Sequence, residues 1–87
     1  MSFSINTDAI KETMRKLRKN DLALFTAARK KIDQIAALDE TAVHHFKNLK
    51  GHLSNHKRVH IGSFVLMFRV EGNTLIFVKL VHHDEAY

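Results

Sequence analysis

The sequence predicts an α+β fold in which a helical hairpin covers one face of a four-stranded sheet. Three observations favour this fold class. Apolar residues recur at helical spacing in the first half, they alternate or run continuously from residue 56 onward, and glycine-containing turn signals separate the later segments. With 87 residues, the chain is expected to form a single domain over residues 1–87, with no room for a deep multi-substrate cleft.

The N-terminal half is predicted to form a short strand followed by two helices. Residues 2–6 alternate with period two, and Asn6 or Thr7 offers an N-cap for the first helix. Asn20-Asp21 ends that helix and caps the second. The apolar stripe of the second helix consists of Leu22, Phe25, Ala28, Ile32 and Ile35. Because the break between the helices is short, they should form an antiparallel hairpin.

The stretch between the helices and the later strands has no clear period. Residues 39–45 are therefore predicted to be irregular. Phe46 and Leu49 are expected to act as apolar anchors that hold a loop against the core.

The C-terminal half is predicted to form a three-stranded antiparallel meander. Its strands are expected at residues 56–61, 64–70 and 75–81. Gly62-Ser63 is a two-residue hairpin signal with glycine first, and residues 71–73 turn the chain again. Residues 82–87 follow as a polar tail. The meander and the N-terminal strand together complete the four-stranded sheet.

The first strand of the meander carries a polar stripe. If Val59 and Ile61 face the helices, then His56, Arg58 and His60 lie on the opposite, open face of the sheet. A guanidinium there could hold a phosphate while an imidazole moves a proton. Equally, the charges could protect an edge strand from aggregation. The residue pattern alone leaves both interpretations open.

The C-terminal segment adds two histidines and the chain's one tyrosine. His82 and His83 should alternate sides, so one can face the core edge while the other joins the open face. No standard metal-ligand spacing appears, and the sequence predicts neither a metal site nor a cofactor. Tyr87 could stack on a base, or it could be frayed as terminal residues often are.

Composition limits the possible functions. Lys and Arg outnumber Asp and Glu by 14 to 9, which gives a formal charge of +5 and indicates a polyanionic partner. The absence of cysteine excludes disulfides and thiolate chemistry. The longest apolar run, residues 64–68, is far shorter than the ~20 residues of a membrane span, and residues 1–9 lack the features of a secretion leader. The sequence thus predicts no membrane association and a cytoplasmic location.

Three stretches resemble the RelE/ParE superfamily of toxins from toxin–antitoxin systems, and most closely its RelE-type branch. They are FKNLKG at residues 46–51, KRVHIGSFVLMF at residues 57–68 and HHDEAY at residues 82–87. The resemblance implies a domain that enters the ribosomal A site and cleaves mRNA without a metal. It also implies a cognate, RelB-like antitoxin encoded by a neighbouring gene, and a toxin–antitoxin complex that can bind operator DNA.

The resemblance also implies roles for individual residues. Arg58 and His60 occupy the basic positions of the second strand, while His83 and Tyr87 occupy the basic and aromatic positions of the ending. These four are the expected catalytic residues. The residues expected to contact RNA or the ribosome are Lys47, Lys50, His56, Lys57 and His82.

One position departs from the family pattern. Many members carry an arginine where this chain has Val65, so Arg58 or Lys47 would have to supply the missing cation. Two other functions stay open at this stage. One is inhibition of DNA gyrase, as in the ParE branch, and the other is RNA binding without catalysis.

Overall fold

The computed structural model describes residues 3–43 and 56–85. The strands are β1 (Ser4–Asn6), β2 (Lys57–Ile61), β3 (Phe64–Glu71) and β4 (Thr74–His82). The helices are α1 (Lys11–Asn20), α2 (Leu22–Ala36) and α3 (Glu40–Val43). Short 3₁₀ turns cover Asp8–Ile10 and His83–Glu85.

The four strands form one sheet in the order β1-β4-β3-β2. β2, β3 and β4 pair antiparallel, as the predicted meander requires, and β1 adds to the far edge parallel to β4. Backbone bonds hold β1 in place, because Phe3 donates its N–H to the Ala36 carbonyl at 2.7 Å and Ser4 donates to Asn73 at 2.9 Å. The predicted α+β fold class is confirmed.

A side-chain cap begins α2, where Asp21 Oδ1 accepts a hydrogen bond from the Leu24 N–H at 3.1 Å, as the sequence predicts. The predicted cap of the first helix is wrong, because α1 begins after Ile10 without a side-chain cap. Asn6 Oδ1 instead accepts a hydrogen bond from the Asp8 N–H at 3.0 Å, at the start of the 3₁₀ turn. Within α1, Arg15 donates to Glu12, and these hydrogen bonds together with the guanidinium charge lower the pKa of the Glu12 carboxyl. In the described part of the chain, no helix is long and apolar enough to cross a membrane.

Two details of the first half differ from the predictions. Leu22, expected in the apolar stripe of α2, is 62% exposed, because Leu24 and Phe25 take the core side of this first turn. The prediction that residues 39–45 are irregular is wrong for residues 40–43, which form the short helix α3. Asp39 Oδ1 accepts a hydrogen bond from the Ala42 N–H at 2.8 Å and thereby caps this short helix. The predicted anchors Phe46 and Leu49 lie outside the described residues.

Among residues 3–43 and 56–85, the core has two parts, one on each face of the sheet. The larger part lies between the helices and the sheet, and its largest fully buried side chains include Phe68, Phe77, Ile10, Ile32 and Ile35. The smaller part consists of Val65 and Met67, with Val78 and Val81 packed against them. Since neighbouring residues of a strand point to opposite faces, β3 is buried on both sides.

Two glycine turns and one bulge set the register of the meander. Gly62 and Gly72 have φ angles of +59° and +57°, a region that side chains disfavour, and each opens a two-residue turn. Between β3 and β4, Met67 pairs with Lys79 and Phe68 pairs with Phe77. Val78 is therefore an extra residue in β4, a β-bulge.

Removing the cap of α2 should measurably destabilise the fold. We expect Asp21→Ala to lower the free energy of unfolding by about 1 kcal/mol, because the Leu24 N–H loses its acceptor. Urea denaturation followed by circular dichroism measures this change. Asp33→Ala removes the same charge from an exposed position inside α2 and should cause no comparable loss. An equal loss in both variants would mean that charge, and not the cap, is responsible.

Candidate nucleic-acid interface

The face of the sheet opposite the helices, here called the open face, has an apolar centre. Val65 and Met67 are 0% and 1% exposed, and Val78 and Val81 pack against them. Val65, the position at which the resemblance noted above implies an arginine, has its side chain buried in this cluster. The centre of the open face is therefore a packed surface without charge.

Two rows of paired residues cross the sheet at this apolar centre, and each row begins with a basic side chain on β2. In the first row Arg58 pairs with Met67, and Met67 pairs with Lys79. In the second row His60 pairs with Val65, and Val65 pairs with Val81. Because one strand lies between them, the backbones of Arg58 and Lys79 are about 10 Å apart. A phosphodiester placed over Met67 would lie between two cations.

Lys79 and Arg69 on the open face were not among the predicted site residues. Arg69 shares the strand parity of Val65 and Met67, so alternation along β3 could have identified it. Its guanidinium forms an ion pair with Glu71 at 3.0 Å. Lys79 was harder to place. Strict alternation from the buried Leu75 would turn it toward the helices, and only the bulge at Val78 brings it to the open face.

The remaining predicted positions of β2 differ in their surroundings. Lys57 is only 5% exposed and pairs with Phe68, on the side of the sheet that faces the helices. The structure therefore separates Lys57 from the open face, although it was expected to contact RNA. His56 precedes β2 and is half-buried.

The C-terminal segment is anchored at the hairpin end of the sheet. His82 pairs with Phe64, and their rings meet edge to face with centroids 5.8 Å apart. Because Phe64 packs against the larger core, His82 lies toward the helix side. The N–H of His83 donates to the Ser63 carbonyl at 2.8 Å, which fixes the start of the second 3₁₀ turn to the β2–β3 hairpin.

Within that turn, Asp84 lies between two imidazoles. Its Oδ1 is 3.1 Å from His83 Nε2, and its Oδ2 is 3.5 Å from His82 Nδ1. Its backbone N–H also contacts His82 Nδ1, at 3.3 Å. Of residues 3–43 and 56–85, these three form the one group of His, Asp or Glu side chains with the spacing to hold a metal ion. The sequence predicted no metal there, since adjacent residues do not reveal how a turn gathers their side chains.

The predicted catalytic residues thus fall into two places. Arg58 and His60 share the open face, whereas His83 lies at the end of β4, beside the hairpin that begins two residues after His60. β3 lies between the two strands, so a substrate would have to bridge them. Lys47, Lys50 and Tyr87, also predicted to act in the site, lie outside the described residues.

Comparisons with known proteins agree with this architecture. No protein-family model matches the chain. A curated protein named "Putative toxin RelE4", from Methanocaldococcus jannaschii, is 42% identical over 82 residues, which cover 91% of this chain and 83% of the relative.

Two solved structures share the fold. In the toxin–antitoxin complex RelBE2 from Mycobacterium tuberculosis, one chain superposes with a TM-score of 0.67 at 16% identity, covering 95% of this chain and 100% of that one. A copper-bound mutant toxin from Helicobacter pylori superposes with a TM-score of 0.65 at 22% identity, covering 98% and 99%.

The apolar centre of the open face should contribute to stability. We expect Met67→Ala to lower the free energy of unfolding by roughly 2–5 kcal/mol, because it leaves a cavity in a packed cluster. Lys79, the exposed residue of β4 that pairs with Met67, provides the control. Lys79→Ala should change the free energy of unfolding by at most about 0.5 kcal/mol. Chemical denaturation measures both values. A loss below that of Lys79→Ala would show that Met67 is not part of a stabilising core.

Proposed function

The chain belongs to the RelE family of toxins from toxin–antitoxin systems, and on that premise we propose that it is an endoribonuclease that cleaves mRNA in the ribosomal A site. The observation that supports this proposal best is the open face, where Arg58, His60 and Lys79 surround a buried apolar centre. Such a surface offers both phosphate-binding and proton-transferring groups. A domain of 87 residues has little room for a deep cleft, so the ribosome would provide the other walls of the site.

In the proposed reaction, the ribose 2′-hydroxyl attacks the adjacent phosphorus. One imidazole, that of His60 or His83, removes the hydroxyl proton as the new O–P bond forms. The other imidazole donates a proton to the leaving 5′-oxygen as its bond to phosphorus breaks. The products are a 2′,3′-cyclic phosphate and a free 5′-hydroxyl, and no metal takes part. Tyr87 would stack on the nucleotide and orient it.

Two cations of the open face would stabilise the negative charge that develops on the phosphorane. Arg58 was predicted for this role, and Lys79 lies on the other side of Met67 in the same row. Together they would replace the arginine that many family members carry at the position of Val65. Lys47 and Lys50 would assist them, while His56 and His82 would contribute to docking on the ribosome.

The proposed partners follow from family membership. The fold is shared with a toxin chain solved in a toxin–antitoxin complex, which supports a cognate antitoxin encoded next to this gene. That antitoxin would cover basic and apolar surface and so block access to the ribosome. The pair would bind operator DNA, and the toxin would act in the cytoplasm as a single domain.

The histidines provide the first test. We expect His60→Ala and His83→Ala each to slow cleavage of ribosome-bound mRNA by roughly 100- to 10,000-fold, because each removes a group that transfers a proton. The rate is measured by mapping mRNA 5′ ends on programmed ribosomes. Gln34→Ala, an exposed neutral change on α2, is the control and should cleave at the parental rate.

Two results would contradict the proposed function. One is cleavage at the parental rate by both histidine variants. The other is a purified chain that cleaves no mRNA but inhibits the DNA supercoiling activity of gyrase. That result would instead indicate the gyrase-inhibiting branch of the superfamily.

Lys79 provides a second test that separates catalysis from docking. If its ammonium stabilises the transition state, Lys79→Ala should lower the cleavage rate at saturating ribosomes by roughly 100-fold, and Lys79→Arg should recover much of it. If the Lys79 ammonium only helps the toxin to bind the ribosome, the alanine variant should have a lower ribosome affinity that depends less steeply on salt concentration. Once bound, that variant should cleave at the parental rate. Single-turnover cleavage and binding at several salt concentrations distinguish the two roles.

A further inference from the structure

The turn that follows β4 brings three metal-ligating groups together at the surface. The two contacts of Asp84 with the imidazoles, at 3.1 and 3.5 Å, join an oxygen to a nitrogen in each case. Ligand atoms at Zn²⁺ bonding distances in a tetrahedral site lie about 3.3–3.5 Å apart. One ligand atom from each of the three side chains falls within 4.8 Å of the other two, which is close enough for a single ion to bind all three. An ion bound to His82 Nδ1 would replace the Asp84 N–H that contacts this nitrogen at 3.3 Å.

Two contacts outside the group hold the ligands in position. The His82 ring packs edge to face on Phe64, and the His83 backbone is bonded to Ser63 at the hairpin turn. Ligands that are already ordered lose less conformational entropy when an ion binds. His83 and Asp84 are exposed and His82 is partly exposed, so an ion could enter from solvent and keep water at its remaining positions.

The chemistry of the donors selects one class of ion. Two imidazole nitrogens and one carboxylate oxygen suit divalent transition metals, whereas Mg²⁺ and Ca²⁺ prefer oxygen ligands alone. We propose that His82, His83 and Asp84 form a binding site for a divalent transition-metal ion such as Zn²⁺, and that the bound ion inhibits the nuclease.

Inhibition follows from the atom that the ion would occupy. His83 Nε2 faces Asp84, and a coordinated nitrogen can neither accept nor donate a proton. The ion would therefore remove one of the two proton-transfer groups and add positive charge beside the other. This consequence rests on the proposed function, whereas metal binding itself does not.

Zn²⁺ competition against a chromophoric chelator, with the full chain, tests the site directly. We expect the parent to bind one Zn²⁺ per chain, and His83→Ala and Asp84→Asn each to weaken binding by roughly 10- to 100-fold or more. Glu85→Gln removes an acidic charge from the same turn without removing a ligand, and it should bind as the parent does. Mg²⁺ should not compete.

Specific results would overturn the site. Equal Zn²⁺ affinity in the parent and Asp84→Asn would place the ion elsewhere among the seven histidines. An equal loss of Zn²⁺ affinity in Glu85→Gln and Asp84→Asn would show that the negative charge of the turn, and not coordination by Asp84, attracts the ion.

Cleavage assays then test inhibition. Zn²⁺ should slow cleavage by the parent, and a zinc-selective chelator should restore it. Asp84→Asn keeps both catalytic histidines and should cleave with little response to Zn²⁺. Parental cleavage that is unchanged at Zn²⁺ concentrations that fill the site would refute inhibition. A parent that binds Zn²⁺ but never cleaves would refute the proposed function and leave the metal site standing.

Discussion

The burial of β3 on both of its faces is the constraint on which the rest of the structure depends. Residues 65–68 are almost completely buried, yet neighbours on a strand point to opposite sides. A helical layer covers Leu66 and Phe68, while Val65 and Met67 need a second apolar cluster. A shift of one residue would exchange these two sets of side chains, so their different surroundings specify the register of β2 and β4. The positions of Arg58, His60 and Lys79 follow from that register.

Local chemistry explains why much of the fold could be predicted from sequence. The Asp21 cap and the glycine turns at Gly62 and Gly72 act within two or three residues, so their signals are visible in the sequence itself. Asp39 is an equally local cap, but α3 is too short to show helical periodicity and was missed. The parallel pairing of β1 with β4 joins distant segments, and nothing in the local sequence specifies it.

The candidate site was only partly predictable for the same reason. Alternation along β2 correctly placed Arg58 and His60 on the face opposite Val59 and Ile61. It could not place Lys79, because the bulge depends on pairing with β3. Nor could it show that Asp84 would approach two imidazoles, since that contact depends on the turn that follows His82. Sequence patterns identified the residue types, and tertiary contacts decided which of them meet.

The bulge at Val78 has a mechanical consequence for the whole sheet. An extra residue bends the strand that contains it and increases its right-handed twist. The two ends of β4 therefore point in different directions: the first end lies beside β1, and the second carries His82 toward the β2–β3 hairpin. A straight β4 would present a flatter sheet to any ligand. The bend and the added twist therefore determine how Arg58 and Lys79 are oriented relative to each other across β3.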